Sequence, residues 1–216
     1  MVERFNSEGR VPQAPIPENS GSRGTRPSGI LLLPGSRADE LRRHLPPMLG
    51  ALKLIREKLP SAKAKMVLPD ETLKQLADKL YALPSNTEIQ IGNLPQALAG
   101  ADVAIASTGT VTMECAFFGV PAVTLYKTSW LTYEIGRRIV TVKSLTMPNL
   151  MANAEVYPEF IQDAATAENL AGAALELLQN EPRRQRIQSQ LAQIIASLGE
   201  PGARRRAAAA IVSLFP

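Results

Sequence analysis

Ile30-Leu31-Leu32-Leu33-Pro34-Gly35-Ser36-Arg37 is the stretch whose reading decides the fold. Four consecutive large apolar residues without polar alternation describe a strand buried on both faces, the condition of a parallel sheet. Pro34-Gly35 stops that strand, and the hydrophobic period then changes. Leu41, Leu45, Met48, Leu49, Leu52, Ile55 and Leu59 recur at helical spacing as far as Pro60. A buried strand followed at once by a helix is the first half of a βαβ unit.

The alternation continues outward from there. Strands are expected over 64–68, 88–91, 103–106 and 122–126. Helices are expected over 71–83, with Asp70 as N-cap, and over 94–99, 110–118 and 130–140. An irregular passage through Pro148 and Pro158 leads to helical segments over 166–180, 182–198 and 201–214. Strands separated by helices require right-handed crossovers, so the fold class is α/β, a doubly wound parallel sheet with additional C-terminal helices. Met1 to Gly29 mixes charge with Gly, Ser, Pro12, Pro15, Pro17 and Pro27 and follows neither hydrophobic period, so 1–29 is expected to be a disordered leader. The body of the domain is placed at 30–200 and a C-terminal helix at 201–216.

Composition bounds the function. The 216 residues make one or at most two domains, and 45% hydrophobic with 20% charged residues is ordinary for a soluble protein with a proper core. Neither a membrane-spanning run nor the apolar middle of a signal peptide is visible, so a cytoplasmic protein is expected. Cys115 and His44 are the single residues of their types, which excludes an internal disulfide and a Cys/His metal cluster. The net charge of +4 is mild but locally concentrated in Arg183, Arg184, Arg186 and Arg204 to Arg206. That makes phosphate-bearing partners or anionic lipid plausible, while the lack of interleaved aromatics argues against nucleic acid.

Ligands on doubly wound sheets bind beyond the carboxyl ends of the strands, so the loops at 34–37, 92–95, 107–110 and 126–130 share the candidate edge. Gly35, Ser36 and Arg37 could capture an anion through a close backbone approach, a hydroxyl, helix N-terminal amides and a guanidinium fork. The bland alternative is a strand-to-helix turn with a solvated arginine. Ser107, Thr108, Gly109 and Thr110 could cradle a diphosphate, although the pattern is neither a Walker loop nor GxGxxG. Glu114, about one helical turn in, could accept hydrogen bonds from a ribose diol or could simply complement the helix dipole. His44, among Leu41, Leu45 and Met48, reads as structural, Cys115 as core, and Asp39 and Glu40 as acids favoured in a first helical turn.

Taken in order, these segments carry a resemblance. Leu31-Leu32-Leu33-Pro34-Gly35-Ser36-Arg37, Ala106-Ser107-Thr108-Gly109-Thr110 with Glu114, Leu145-Thr146-Met147-Pro148-Asn149-Leu150, and Val156-Tyr157-Pro158-Glu159-Phe160-Ile161-Gln162 are similar to lipid-A-disaccharide synthase over roughly residues 30–200. The resemblance implies the C-terminal half of a GT-B glycosyltransferase, a Rossmann-like domain that binds the UDP-sugar donor. The implied reaction transfers 2,3-diacylglucosamine from its UDP-linked form to 2,3-diacylglucosamine 1-phosphate with inversion, without a cofactor or metal. Ser36 and Arg37 would contact the donor phosphates, with Gly35 in the same loop. Ser107, Thr108, Gly109 and Thr110 would wrap the diphosphate, and Glu114 would hold the ribose. Tyr126 and Lys127 fall at a further donor-side position, and Asn149 would face the cleft.

The implied partners are the acylated UDP-sugar, an N-terminal acceptor-binding domain or subunit that supplies the general base, and an anionic face of the inner membrane; a homodimer is a further alternative. Two departures stand out within the matched region. Ala152-Asn153-Ala154-Glu155 replaces the family's Ala-Gly-Arg-Glu, and Lys127 stands where arginine is usual, keeping the charge without the planar fork. Two other readings compete: another GT-B enzyme of UDP-N-acetylglucosamine, such as a cell-wall glycosyltransferase or an epimerase, and a non-catalytic module that binds UDP or uses its arginine-rich tail on anionic surfaces.

Overall fold

The apolar run becomes the central strand of the sheet. In the computed structural model, which describes residues 28–139, 142–199 and 202–214, β1 (Gly29–Leu33) pairs with β2 (Lys63–Leu68) on one side and β4 (Val103–Ser107) on the other. Leu32 lies opposite Met66 and Ile105, and Ile30 to Leu33 are all buried. Beyond β2 comes β3 (Thr87–Ile91); beyond β4 come β5 (Ala122–Tyr126) and β6 (Glu159–Ile161). All pairings are parallel, and the order is β3-β2-β1-β4-β5-β6. This is the doubly wound Rossmann-like sheet, with its direction of winding reversed between β1 and β4.

Gly29 is a strand residue rather than the end of a leader. Its amide donates to Asp102 Oδ2 at 2.8 Å, and its carbonyl accepts from the Asp102 amide at 2.8 Å. The expectation for 1–27 lies outside the described residues.

Helix α1 (Ala38–Lys58) covers one face of the sheet with Leu41, Leu45, Met48, Leu52 and Ile55. Pro46 and Pro47 sit inside it. A proline has no amide to bond four residues back, so Pro46 frees the carbonyl of Arg42. The Tyr81 hydroxyl donates to that carbonyl at 3.0 Å. Tyr81 itself caps α2 (Glu71–Leu80), whose N-cap Asp70 accepts from the Leu73 amide as expected. On α1, Gly50 meets α7 (Ala167–Gln179) so closely that a Cβ there would lie 2.7 Å from Ala167 Cβ.

The remaining helices are α3 (Leu94–Ala99), α4 (Thr110–Phe117), α5 (Trp130–Ile139), α6 (Met147–Ala152), α8 (Glu181–Ser197) and α9 (Ala203–Val212). Helices α4, α6 and α8 pack together, and α7 packs against α1, β4 and β5. Among the described residues no helix is long and apolar enough to cross a membrane.

The passage read as irregular contains α6 and β6, both too short to show a period. The concentration of arginines at Arg183, Arg184 and Arg186 is only partly presented to solvent. Arg184 is buried, donates to the carbonyls of Leu177 and Leu178 at 3.2 and 3.1 Å, and pairs with Glu181. It closes the C-terminal end of α7, where a cation complements the helix dipole, rather than facing solvent. Arg183 pairs with Glu176 of α7.

Tyr81→Phe removes the partner of the carbonyl that Pro46 frees. It should cost about 1 kcal/mol in chemical denaturation, whereas an unchanged midpoint would show that water serves Arg42 equally well.

Candidate functional site

Where the sheet order reverses, the chains leaving β1 and β4 depart to opposite faces and open a crevice at the carboxyl edge. A cavity of about 760 Å³ occupies this position. Its walls come from four strand ends and the loops that follow them: Leu33, Gly35, Ser36, Arg37 and Glu40 from β1 onward, Val67, Leu68 and Pro69 at the end of β2, Gly92 to Pro95 after β3, and Ser107 to Val111 with Glu114 from the end of β4.

The β1 loop is shaped by Gly35, whose φ of +122° is in the range that favours glycine. Arg37 is the N-cap of α1 and makes no side-chain cap. Glu40 supplies that function from the first turn. Its Oε2 accepts from the Ser36 amide at 2.9 Å, and its Oε1 accepts from Arg37 Nη1 at 2.8 Å. The Arg37 side chain is 79% exposed, so this ion pair is solvent-screened.

The β4 loop forms the opposite wall. Gly109 adopts φ +128° as N-cap of α4, and an added Cβ would meet nothing within 4 Å. Its side therefore stays open, and the amides of Thr110 and Val111 head the helix at the cavity wall, while the Thr112 amide donates to the Gly109 carbonyl at 3.1 Å. Thr112 Oγ1 donates to the Gly109 carbonyl at 2.7 Å, which holds the turn. Glu114 lines the cavity one turn further along.

Of the residues singled out by sequence, Gly35, Ser36, Arg37, Ser107, Thr108, Gly109, Thr110 and Glu114 are brought to this one cavity. Tyr126, Lys127 and Asn149 do not line it. Lys127 Nζ donates to the Gln162 carbonyl at 2.7 Å, tying the ends of β5 and β6 together. The expectation that Asn149 faces the cleft is corrected: the residue is 2% exposed and every polar valence of its side chain is used internally. Asn149 Nδ2 donates to the Tyr157 carbonyl and to Glu159 Oε1, both at 2.8 Å. Its Oδ1 accepts from the amides of Val156 and Tyr157 at 2.9 and 2.8 Å. Glu159 in turn accepts from the amides of Leu145 and Thr146 and from the Thr146 hydroxyl, capping α6.

His44 couples the loops after β1 and β5. Its Nδ1 lies 2.8 Å from the Pro34 carbonyl, and its Nε2 accepts from the Lys127 amide at 3.0 Å. Only the neutral ring with its proton on Nδ1 satisfies both partners. Burial lowers its pKa, against the opposing pull of the Pro34 carbonyl and the Glu40 charge. Cys115 is buried and its thiol is pushed up to about 12, chiefly by burial and further by the charge of Glu114, so it stays protonated.

Sequence reading missed Val67, Leu68 and Pro69, because apolar strand residues look the same whether they line a cavity or a core. It read Glu40 only as an acid suited to a first turn; its spacing three residues from the N-cap was the available signal for a capping role.

The lipid-A-disaccharide synthetase family profile matches residues 25–213. The lipid-A-disaccharide synthase of Syntrophus aciditrophicus (strain SB) is 38% identical over 192 residues, 86% of this chain and 49% of that protein. That of Synechocystis sp. is 37% identical over 195 residues, 85% of this chain and 48% of the relative. The chain thus spans about half the length of these curated relatives. Among solved structures, the spinosyn rhamnosyltransferase SpnG superimposes with a TM-score of 0.58 at 16% identity, covering 85% of this chain and 45% of that one. Its complex with thymidine diphosphate gives 0.52 at 16% identity, covering 78% and 42%. These two likenesses concern the fold.

Two outcomes follow from the site's supports. Asn149→Ala strands the buried amides of Val156 and Tyr157 and the Tyr157 carbonyl, and should cost at least about 3 kcal/mol in equilibrium unfolding; a loss below about 1 kcal/mol would show that water replaces the amide. For His44, folding lowers the pKa, so the unfolded chain takes up the proton first. The stability contribution is intact above about pH 6.5 and is lost as pH falls below it. Wild type should therefore lose more melting temperature between pH 7.5 and 5.5 than His44→Gln, and equal losses would assign the pH dependence elsewhere.

Proposed function

The chain belongs to the lipid-A-disaccharide synthetase family, and we propose that it is the donor-binding domain of a glycosyltransferase of that type, with the UDP moiety of the donor in the cavity between β1 and β4. One observation carries this: two glycine-bearing loops, each opening a helix, face one cavity at the switch point, with Arg37 on one wall and Glu114 on the other. Helix N-terminal amides and a guanidinium suit a diphosphate. A carboxylate one turn into α4 suits a ribose diol, because it accepts two hydroxyl donors. The apolar side chains of Val67, Leu68 and Leu94 offer a surface for a base.

On this reading the donor is UDP-2,3-diacylglucosamine and the acceptor 2,3-diacylglucosamine 1-phosphate. The acceptor hydroxyl oxygen attacks the anomeric carbon from the side opposite the diphosphate. The bond from that carbon to the phosphate oxygen breaks, its electron pair leaves with UDP, and the hydroxyl proton passes to a base. Arg37, the Ser36 amide and the amides at the head of α4 would stabilise the charge gathering on the departing diphosphate, where preorganised donors contribute most. That supply of positive charge is why the reading calls for no metal. The acceptor, the base and the approach to a membrane surface fall to an acceptor-binding domain or subunit.

Calorimetric titration with UDP, with ATP as control, tests the assignment. Saturable uridine-selective binding should weaken about tenfold or more in Arg37→Ala and in Glu114→Ala. Wild-type affinity in both variants would move the nucleotide elsewhere.

A further inference from the structure

Resting on that reading, we infer that Glu40 is a resident anion of the phosphate site: its carboxylate holds the donors a ligand phosphate needs and must swing away when the phosphate binds. The Ser36 amide and Arg37 Nη1 are the two donors of the β1 loop assigned above to the diphosphate, and each is taken by one oxygen of Glu40, at 2.9 and 2.8 Å. The carboxylate sits in space that Gly35 leaves open, since a Cβ on Gly35 would lie 2.3 Å from Glu40 Oε2. Glu40 also lines the cavity. Carboxylate and phosphate therefore compete for one fork of donors, and two anions at that separation repel.

The exchange is feasible because the arrangement is lightly held. The Arg37 side chain is 79% exposed and that of Glu40 25%, so water screens the pair and can receive the carboxylate once it turns outward. Ser36 and Arg37 stay occupied between ligands instead of being left bare. A ligand must bring enough negative charge to displace the carboxylate, which favours a diphosphate over a nucleoside.

The test uses the full chain, titrated with UDP, inorganic pyrophosphate and uridine. Glu40→Gln keeps an oxygen for the Ser36 amide but removes the competing charge. It should bind UDP and pyrophosphate about three- to tenfold more tightly and leave any uridine affinity unchanged. The gain should shrink when Arg37→Ala is combined with it. Tighter pyrophosphate without UDP binding in either protein would keep the role of Glu40 and remove the nucleotide reading. Unchanged or weaker pyrophosphate binding, or none in either protein, would overturn the inference and leave Glu40 as a helix cap that positions Arg37. Should Glu40→Gln fail to fold, a crystal structure of wild type with pyrophosphate decides: the carboxylate turned off the Ser36 amide supports the exchange, and the carboxylate still bonded there refutes it.

Discussion

β1 is hydrogen-bonded along both edges and covered on both faces, and the rest of the molecule follows from that double constraint. A strand so enclosed must be apolar throughout, which Ile30 to Leu33 are. The chain runs outward from β1 through β2 to β3 and then returns to lay β4 on the other edge of β1, so the winding of the sheet reverses there. The crevice is thus a product of topology before any polar residue is considered. Gly35 and Gly109 then keep side chains off its walls at positions whose φ of +122° and +128° would strain most residues.

The parallel, doubly wound class of the sheet, the first five strands and most helices were legible because their hydrophobic patterns are long enough to read. What escaped was short or doubly used. The three residues of β6 and six of α6 show no period, and their placement comes from Asn149, Glu159 and Thr146 bonding one another across the chain. Pro46 and Pro47 would normally argue against a helix of 21 residues. That cost is relieved by a hydroxyl 39 positions away in sequence, which no local pattern announces.

The same distinction explains the uneven reading of the site. The small polar residues after β1 and β4 lie on the cavity because the winding reverses between those two strands, whereas the loop after β5 at the same edge lies off it. The Pro148-Asn149-Leu150 and Pro158-Glu159 motifs looked as distinctive, yet the structure turns Asn149 inward and gives Glu159 the start of α6. A motif records that side chains of one kind are needed at one spacing. Whether the need is a ligand or a buried amide depends on which valences remain, and Asn149 has none left.

Charge in this molecule is divided by mobility. Arg184 is buried, and Glu159 is only partly exposed and committed to several donors, so moving either would uncover polar groups far from water. His44 joins two strand ends as a neutral ring, which avoids placing an unpaired cation beneath the site and keeps Nε2 able to accept the Lys127 amide. Around the cavity the balance is opposite. Arg37 and Glu40 meet at the surface, in a pair that water can separate at small cost, above a loop held in place by uncharged bonds. On the proposed reading, a site that accepts and releases an anion is served by this arrangement: a fixed frame built from groups kept uncharged at neutral pH, and charges placed only where exchanging partners leaves nothing buried and unpaired.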